Sequence, residues 1–417
     1  MLEPVPLKPR SLDRYMQVMT PAARERIETL AKSLHNKRVL QINATAYGGG
    51  VAEILTTLIP MMRGIGVDAQ WEVMYGTDDF YNVTKAIHNS LQGMETAWTP
   101  QMEEIYYDQQ IANIERLEAE EYDFVVVHDP QPAGFLDQYI KKHGHRPPGK
   151  WIWRCHIDTS RPFAPVADYV FPFIENYDAA VFTMQDFIPT GRPLPPISLI
   201  PPCIDPISLK NLSLGDEVNH AIVDSYGIDP NRPFLVQISR FDPWKDPLGV
   251  IDAYRIVKKE IPEIQLVLAG SMASDDPEGM HYLARTETHA QDDPDIFILT
   301  NAHGVGAIEV NAFQRAAAVV IQKSTREGFG LTVSEAMWKQ TPVIGGNVGG
   351  IRLQIEHEKT GYLVDDVDAC AKHCIDLLKN LDQCKKMGEL AHNHVRENFT
   401  MTALLENWLQ LFVSLQD

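Results

Sequence analysis

Residues 234–245 read Phe-Leu-Val-Gln-Ile-Ser-Arg-Phe-Asp-Pro-Trp-Lys, a mainly apolar run followed by two cations five residues apart. The run from Phe234 to Ser239 predicts a buried strand. Arg240 then comes at the carboxyl end of that strand, and Lys245 lies in the loop beyond it. Ligands of open α/β sheets gather beyond the carboxyl ends of the strands. An isolated Arg-x4-Lys pair is also common on solvated surfaces, so the interpretation depends on the rest of the chain.

A second charged motif, Arg-Glu-Gly-Phe-Gly-Leu-Thr-Val-Ser-Glu, occupies residues 326–335. It follows the apolar run 317–321, so Glu327 also comes after a strand. The Gly-Phe-Gly turn would expose backbone N–H groups at the start of a helix, where anions are favoured. Two cations can hold a pyrophosphate, and Glu327 and Glu335 can take sugar and ribose hydroxyls. The motifs together predict a nucleotide-sugar site; the alternative is two carboxylates that share an exposed helix face.

The remaining apolar runs alternate with helical patterns in two series, which predicts two domains with parallel sheets. The first series has strands predicted at 38–43, 68–75, 124–128, 151–155, 179–183 and 197–200, with helices at 51–65, 101–120 and 132–142. The second has strands predicted at 234–238, 265–269, 296–299, 319–321 and 343–344, with helices from 247, near 278–290, from 306 and from 331.

The first series ends at the rigid segment 201–206, Pro-Pro-Cys-Ile-Asp-Pro, because proline cannot continue a central strand, and the domain boundary is expected near 205–215. We expect an α/β protein with two Rossmann-like domains facing a cleft. Residues 1–210 would form an acceptor-side domain and residues 211–398 a nucleotide-sugar-binding domain. A helix within 399–417 would pack back on the first domain.

Polar residues also follow the predicted strands of the first domain. The glycine loop 48–50 is neither G-x-G-x-x-G nor a P-loop, so it predicts either close backbone approach to a ligand or a simple tight turn. The strand-end residues that are candidates for acceptor binding are His128, Asp129, Gln131, Arg154 and Asp158. His156 is a further site candidate. The alternatives are a structural histidine, an Arg154–Asp158 ion pair, and helix capping by Asp129.

Composition limits the possible partners. The chain has 417 residues, of which 44% are hydrophobic, and a formal net charge of −19. This charge disfavours nucleic acid and anionic membrane as partners. No apolar run of membrane-spanning length and no apolar signal core in residues 1–10 is present. The five cysteines lack C-x-x-C spacing, so we expect reduced thiols in a cytoplasmic protein without a metal site.

Four other histidines are interpreted as solvated. They are His143 and His145 in a loop, and His392 and His394 on an exposed helix. This interpretation leaves them out of any metal or catalytic site.

The two charged motifs resemble those of the retaining glycosyltransferases of family 4, which have the GT-B fold. More narrowly, W-R-C-H-I-D-T-S (153–160), I-P-P-C-I-D-P (200–206), S-R-F-D-P-W-K-D-P (239–247) and H-E-K-T-G-Y-L-V (357–364) are similar to segments of the trehalose glycosyltransferring synthases. The resemblance covers roughly residues 35–415. Cys203 departs from the wider family, which usually has glycine there.

The resemblance implies roles for individual residues. Arg240 and Lys245 would hold the diphosphate of the donor, Glu335 the ribose hydroxyls, and Glu327 the hydroxyls of the donor glucose. His156 would sit near the reacting sugar, so the implied catalytic residues are Arg240, Lys245, Glu327 and His156. The residues whose backbone would contact the donor are Gly48, Gly49, Gly328, Phe329, Gly330, Leu331 and Thr332.

The implied activity is reversible transfer of glucose between a nucleoside diphosphate glucose and glucose, which makes or cleaves trehalose. ADP- or UDP-glucose would be a substrate, and no cofactor or metal is expected. The partners would be nucleotide sugar, glucose and trehalose, without nucleic acid or membrane. Homodimer formation is left open. The alternatives are a trehalose phosphorylase, a family-4 enzyme with another acceptor, a nucleotide-sugar-binding protein and an epimerase.

Overall fold

The computed structural model describes residues 2–47, 50–270 and 277–416. These residues form two compact units. One unit holds the chain up to Pro202 together with the residues from Met401 onward, and the other holds Cys203–Thr400. Each unit contains one mainly parallel sheet with helices, which confirms the predicted α/β class with two parallel-sheet domains.

The first unit alternates strands and helices along most of its length. Its elements are β1 (Glu3–Pro4), α1 (Pro21–Ser33), β2 (Arg38–Asn43), α2 (Gly50–Gly64), β3 (Asp68–Val73), α3 (Asp78–Leu91), α4 (Pro100–Ile114), β4 (Phe124–His128), α5 (Phe135–His143), β5 (Lys150–Arg154), α6 (Ala164–Ile174), β6 (Ala179–Phe182) and β7 (Ile197–Leu199).

The sheet of the first unit has the strand order β1-β3-β2-β4-β5-β6-β7. Only β1 is antiparallel to its neighbour. Strands β4, β5 and β6 are continuous apolar runs because helices cover both faces of such a sheet. Chain order runs outward in opposite directions from β2 and β4. The loops after these two strands therefore flank the switch point at which α/β sheets bind ligands.

The second unit contains a complete doubly wound sheet. Its elements are α7 (Asp216–Ser225), β8 (Phe234–Ile238), α8 (Pro247–Glu260), β9 (Gln265–Gly270), α9 (Pro277–Ala290), β10 (Ile296–Thr300), α10 (Ala307–Ala316), β11 (Val319–Gln322), α11 (Leu331–Trp338), β12 (Val343–Gly346), α12 (Ile351–Gln354), β13 (Tyr362–Val364), α13 (Val367–Lys379) and α14 (Leu381–Asn398).

The strand order in the second unit is β10-β9-β8-β11-β12-β13, and every pair is parallel. This is the dinucleotide-fold order, with its switch point between β8 and β11. Val319 and Val320 of β11 pair with Leu235 and Val236 of β8. The two charged motifs follow these two adjacent strands, so the topology brings them to one edge of the sheet.

The last helix, α15 (Met401–Ser414), belongs to the first unit. Glu406 accepts from the Arg26 guanidinium of α1, with 2.6 Å between Nε and Oε1. The ring of Phe412 lies 4.8 Å from that of Phe124 at the start of β4. The ring of Phe412 thus packs against the start of β4, and the ion pair joins α15 to α1.

The helices of the structure differ in places from those predicted from the sequence. The helix predicted over 101–120 ends at Ile114, and a short 3₁₀ turn occupies Ala119–Glu121. Helix α6 was missed because its interior holds Pro172, which normally disfavours a helix.

The solvated interpretation of His392 and His394 is wrong. His392 stacks on Trp338 with ring centroids 4.4 Å apart, and the side chain of His394 is only 19% exposed.

Candidate functional site

The loop after β8 fixes the backbone of Lys245. Asp242 caps the 3₁₀ turn Pro243–Lys245, since its Oδ1 accepts from the N–H groups of Trp244 and Lys245 at 2.9 and 3.1 Å. Gln237, which is buried within β8, donates from Nε2 to the Lys245 carbonyl at 2.7 Å. A polar residue inside an apolar strand thus holds the loop that follows the strand.

Lys245 and Glu327 form an ion pair at the switch point of the second unit. Lys245 Nζ lies 2.5 Å from Glu327 Oε2, and the two side chains are 15% and 9% exposed. Ser324 Oγ donates to the same oxygen at 3.1 Å. A charged donor and acceptor so shielded from water interact more strongly than a surface pair.

Two further contacts join the loops that follow β8 and β11. Lys323 pairs with Asp246, which also caps α8 by accepting from the Gly249 N–H at 3.1 Å. The Thr325 N–H donates to the Trp244 carbonyl at 2.8 Å. Because several bonds connect the loops, Lys245 and Glu327 are held together by backbone as well as by their own charges.

Arg240 has a different environment from Lys245. Its side chain is 66% exposed, and its Nη2 lies 3.4 Å from Asp242 Oδ2. Exposed pairs of this kind contribute little to stability. The guanidinium is therefore accessible to a ligand at the same end of β8.

The Gly328–Gly330 turn depends on close backbone packing. Gly330 precedes α11 with a φ of 79°, which favours glycine. Gln354 donates from Nε2 to the Phe329 carbonyl at 2.5 Å. A Cβ on Gly349 would lie 1.8 Å from the Glu327 carbonyl oxygen, so only glycine fits. Helix α11 then begins at Leu331, and its first N–H groups have no intrahelical acceptor.

Glu335 lies on α11 with only 4% of its surface exposed. Lys210 Nζ is 3.9 Å from Glu335 Oε1. Lys339, one turn later, donates to the Glu335 carbonyl at 2.9 Å and to Asn211 Oδ1 at 2.8 Å. Burial lowers the pKa of Lys339 to about 7, although the Glu335 carboxylate acts to raise it. Lys210 is thus the cation beside the carboxylate oxygen, whereas Lys339 contacts the backbone carbonyl of Glu335.

The segment that carries Lys210 was not identified from the sequence. Asn311 of α10 donates to the carbonyls of Leu209 and Leu212, both at 2.9 Å. Arg315 donates to the Asn211 carbonyl at 3.0 Å. No local pattern could have revealed Lys210, because this segment precedes α7 and contacts helices about a hundred residues later.

In the first unit, the ends of β4 and β5 are joined through Asp129. Asp129 has a φ of 63°, which is unusual for a residue other than glycine. Its Oδ1 accepts from the His156 N–H at 2.8 Å, and its own N–H donates to the Arg154 carbonyl at 2.8 Å. The helix-capping alternative for Asp129 is wrong, since the next helix begins at Phe135 after Gly134.

His128 and His156 are in direct contact. His128 Nδ1 lies 2.9 Å from His156 Nε2, and His128 Nε2 lies 2.7 Å from Gln41 Oε1. Burial lowers the pKa of His128 to about 3, with the Arg154 guanidinium adding to the effect. Burial, Arg154 and His128 also hold the pKa of His156 well below its usual value. Both rings are therefore neutral at pH 7.

The other candidates in the first unit are less closely associated with this pair. Arg154 is 2% exposed, and its Nη2 donates to Thr183 at 3.4 Å. Asp158 Oδ1 accepts from the N–H of Ser160 at 2.9 Å, within its own turn. Gln131 is half-buried, and its carbonyl accepts from Gln110. Gly48 and Gly49 lie outside the described residues.

Two findings concern only the described ranges. No group of three or more His, Cys, Asp or Glu residues in them is arranged to hold a metal ion. No helix in them combines the length and the hydropathy that crossing a membrane would require.

Two family models match the chain. "Trehalose synthase, N-terminal domain" matches residues 41–189, and "Glycosyl transferases group 1" matches residues 219–394. A trehalose synthase of Rubrobacter xylanophilus is 49% identical over 97% of both chains. One from Thermococcus litoralis is 44% identical over the same share of both. A trehalose phosphorylase of Grifola frondosa is 28% identical, and the match covers 96% of this chain and 60% of that protein.

Solved structures share the fold at low identity. An E. coli structure described as trehalose-6-phosphate bound with UDP-2-fluoro glucose has a TM-score of 0.71 at 13% identity, with 90% of this chain and 99% of that chain covered. A sucrose-phosphate synthase of Thermosynechococcus elongatus has a TM-score of 0.69 at 16% identity, covering 91% and 99%. The chain belongs to the trehalose synthase family of glycosyltransferases and has the GT-B fold.

Proposed function

We propose that this chain transfers glucose reversibly between a nucleoside diphosphate glucose and glucose, with retention, and so makes or cleaves trehalose. Membership of the family supports trehalose-related glucosyl transfer. The observation that carries the finer proposal is the arrangement at the second switch point. There, Lys245 and Glu327 are paired at 2.5 Å beside the start of α11, and Glu335 lies on that helix.

The diphosphate would bind at the ends of β8 and α11. Arg240 is exposed, and Lys245 has three donor hydrogens, so it can keep Glu327 as a partner while it contacts a phosphate oxygen. The amides of Leu331 and Thr332, at the start of the helix, would add donors and a favourable dipole. These groups would stabilise the charge that develops on the departing diphosphate.

Glu335 is proposed to take the ribose diol. A buried carboxylate needs hydrogen-bond donors, and two adjacent hydroxyls supply a pair. Lys210 Nζ, 3.9 Å from Glu335 Oε1, places an opposite charge beside this carboxylate. The donor of a phosphorylase lacks ribose, so Glu335 favours a nucleotide-dependent enzyme.

The first unit would hold the acceptor glucose at the ends of β4 and β5, with His156 beside the reacting sugar. The acceptor hydroxyl would attack the anomeric carbon as the bond to the diphosphate breaks, through an oxocarbenium-like transition state. The departing phosphate oxygen would take the proton of the acceptor. The product has an α,α-1,1 linkage, and reversal is expected because both glycosidic bonds are energy-rich.

A phosphorylase is the second candidate, favoured by the similarity to the Grifola frondosa protein. It would cleave trehalose with inorganic phosphate to give glucose 1-phosphate. Incubation of the enzyme with trehalose and either phosphate, ADP, UDP or GDP separates the two. Formation of a nucleoside diphosphate glucose supports the transferase, and glucose 1-phosphate without any nucleotide sugar overturns it.

A further inference from the structure

A row of three polar side chains crosses the switch point of the first unit: Gln41 and His128 are buried, and His156 is partly exposed. Gln41 is fully buried in β2, between the apolar residues Leu40 and Ile42. Gln41 lies opposite Val126 in the register of β2 and β4. Because side chains alternate along a strand, His128 shares the face of Val126 and Gln41. The sheet therefore sets Gln41 beside His128, and His128 contacts His156.

The order of these contacts fixes where the hydrogens lie. Gln41 Oε1 can only accept, so the hydrogen between it and His128 is on Nε2 of His128. A neutral imidazole carries one N–H, which makes His128 Nδ1 an acceptor. His156 must then donate from Nε2, and its Nδ1 keeps a lone pair. Among residues 2–47, 50–270 and 277–416, no hydrogen-bond partner is found for His156 Nδ1.

This row of polar side chains is unfavourable when only the stability of the fold is considered. Gln41 interrupts an apolar strand, and within the described ranges its Nε2 is buried without a hydrogen-bond partner. A buried unpartnered amide costs free energy that a leucine would not. A residue that is retained at this cost is expected to have a role besides packing. For Gln41 that role is the acceptor Oε1, which places the hydrogen of His128 on Nε2.

We propose that Gln41 and His128 are positioning residues that hold His156 as the neutral Nε2–H tautomer, with Nδ1 accepting a hydrogen bond from a sugar hydroxyl. The proposal rests on the proposed function for the presence of a sugar beside His156. Asp129 completes the arrangement, because its Oδ1 fixes the backbone N–H of His156 at 2.8 Å while His128 fixes the ring. A rigid acceptor costs no reorientation when the sugar arrives.

The direct test is histidine-selective ¹⁵N NMR of the intact protein between pH 5 and 8. The His156 signals are identified by their loss in His156→Gln. We expect the hydrogen on Nε2 of both His128 and His156 across this range, without titration. A hydrogen on Nδ1 of His156, or titration of either ring, would overturn the proposal. This NMR measurement needs no substrate, so its result is independent of the incubations with trehalose and phosphate, ADP, UDP or GDP.

Kinetics separate positioning from folding. His128→Leu and Gln41→Leu should lower kcat about tenfold, the equivalent of one lost hydrogen bond, with little change in KM for the nucleotide. His128→Asn keeps an acceptor close to the position of Nδ1 and should recover most of kcat. Tyr177→Phe is the matched control, because Tyr177 donates to the Ala133 carbonyl at 3.0 Å elsewhere in the same core.

Each kinetic outcome decides between the two roles. Recovery by His128→Asn, together with an unchanged kcat in Tyr177→Phe, supports positioning. Equal losses in His128→Leu and His128→Asn, or a tenfold loss in Tyr177→Phe, would overturn it, since the effect would then be structural.

Discussion

Replacement of Lys245 by alanine should reduce both stability and turnover, whereas replacement of Arg240 should reduce turnover alone. At 2.5 Å and an effective dielectric constant of about 20, the attraction between Lys245 and Glu327 is about 7 kcal/mol. Desolvation offsets much of it, and removing one partner of a shielded pair costs about 3 kcal/mol. Arg240, at 66% exposure, should contribute less than about 0.5 kcal/mol.

Urea unfolding and turnover of nucleoside diphosphate glucose measure the two effects separately. Both variants should lose about 10²-fold or more in turnover, because each removes a charged contact to the diphosphate. Adding Glu327→Gln to Lys245→Met should restore stability without restoring turnover. Lys258→Ala is the matched control. Lys258 Nζ lies 2.7 Å from Asp293 Oδ1 in an ion pair outside the site, so this variant should change stability alone.

Two results would refute this reasoning. One is a Lys245→Ala protein that unfolds at the same urea concentration as wild type, which would mean that the ion pair is not shielded. The other is a comparable loss of turnover in Lys258→Ala, which would trace the loss to folding and not to the diphosphate contact.

Three other predictions concern the second unit. Glu335→Ala should weaken nucleotide binding, measured by calorimetry, while binding of trehalose alone changes less; equal losses would contradict the ribose assignment. Lys339→Met should gain stability relative to wild type as the pH falls from about 10.4 towards 7, and the gain should level off below 7, because only the unfolded chain binds this proton in that window. A pH-independent difference in urea unfolding would contradict the low pKa of Lys339. Gly349→Ala should lower kcat at least about tenfold, because its Cβ would displace the Glu327 backbone; turnover at the wild-type level would contradict the packing argument.

The strands that position the site could be predicted from the sequence. Strands β4 and β8 have the predicted bounds because each is a mainly apolar run bounded by polar residues at its carboxyl end, His128 in β4 and Ser239 after β8. The alternation of strands and helices gave the parallel sheets. The placement of Arg240, Lys245 and Glu327 after β8 and β11 followed from these runs.

Contacts between segments far apart in the chain could not be predicted. The Lys323–Asp246 pair joins residues 77 apart, and Lys339 contacts Asn211 across 128 residues. The assembled sheet and helices alone bring these side chains together. The position of Gln41 inside an apolar strand indicates that its side chain needs a hydrogen-bond partner, but the sequence does not show that this partner is His128.

The most direct test of the proposed activity is to determine which glucosyl product the enzyme forms from trehalose. The enzyme is incubated with trehalose and, separately, with ADP, UDP, GDP or inorganic phosphate, and the products are followed by ³¹P NMR. We expect a nucleoside diphosphate glucose and free glucose with at least one nucleotide. We also expect this product to be lost in Arg240→Ala. Glucose 1-phosphate with inorganic phosphate, and no nucleotide sugar with any of the three nucleotides, would contradict the account.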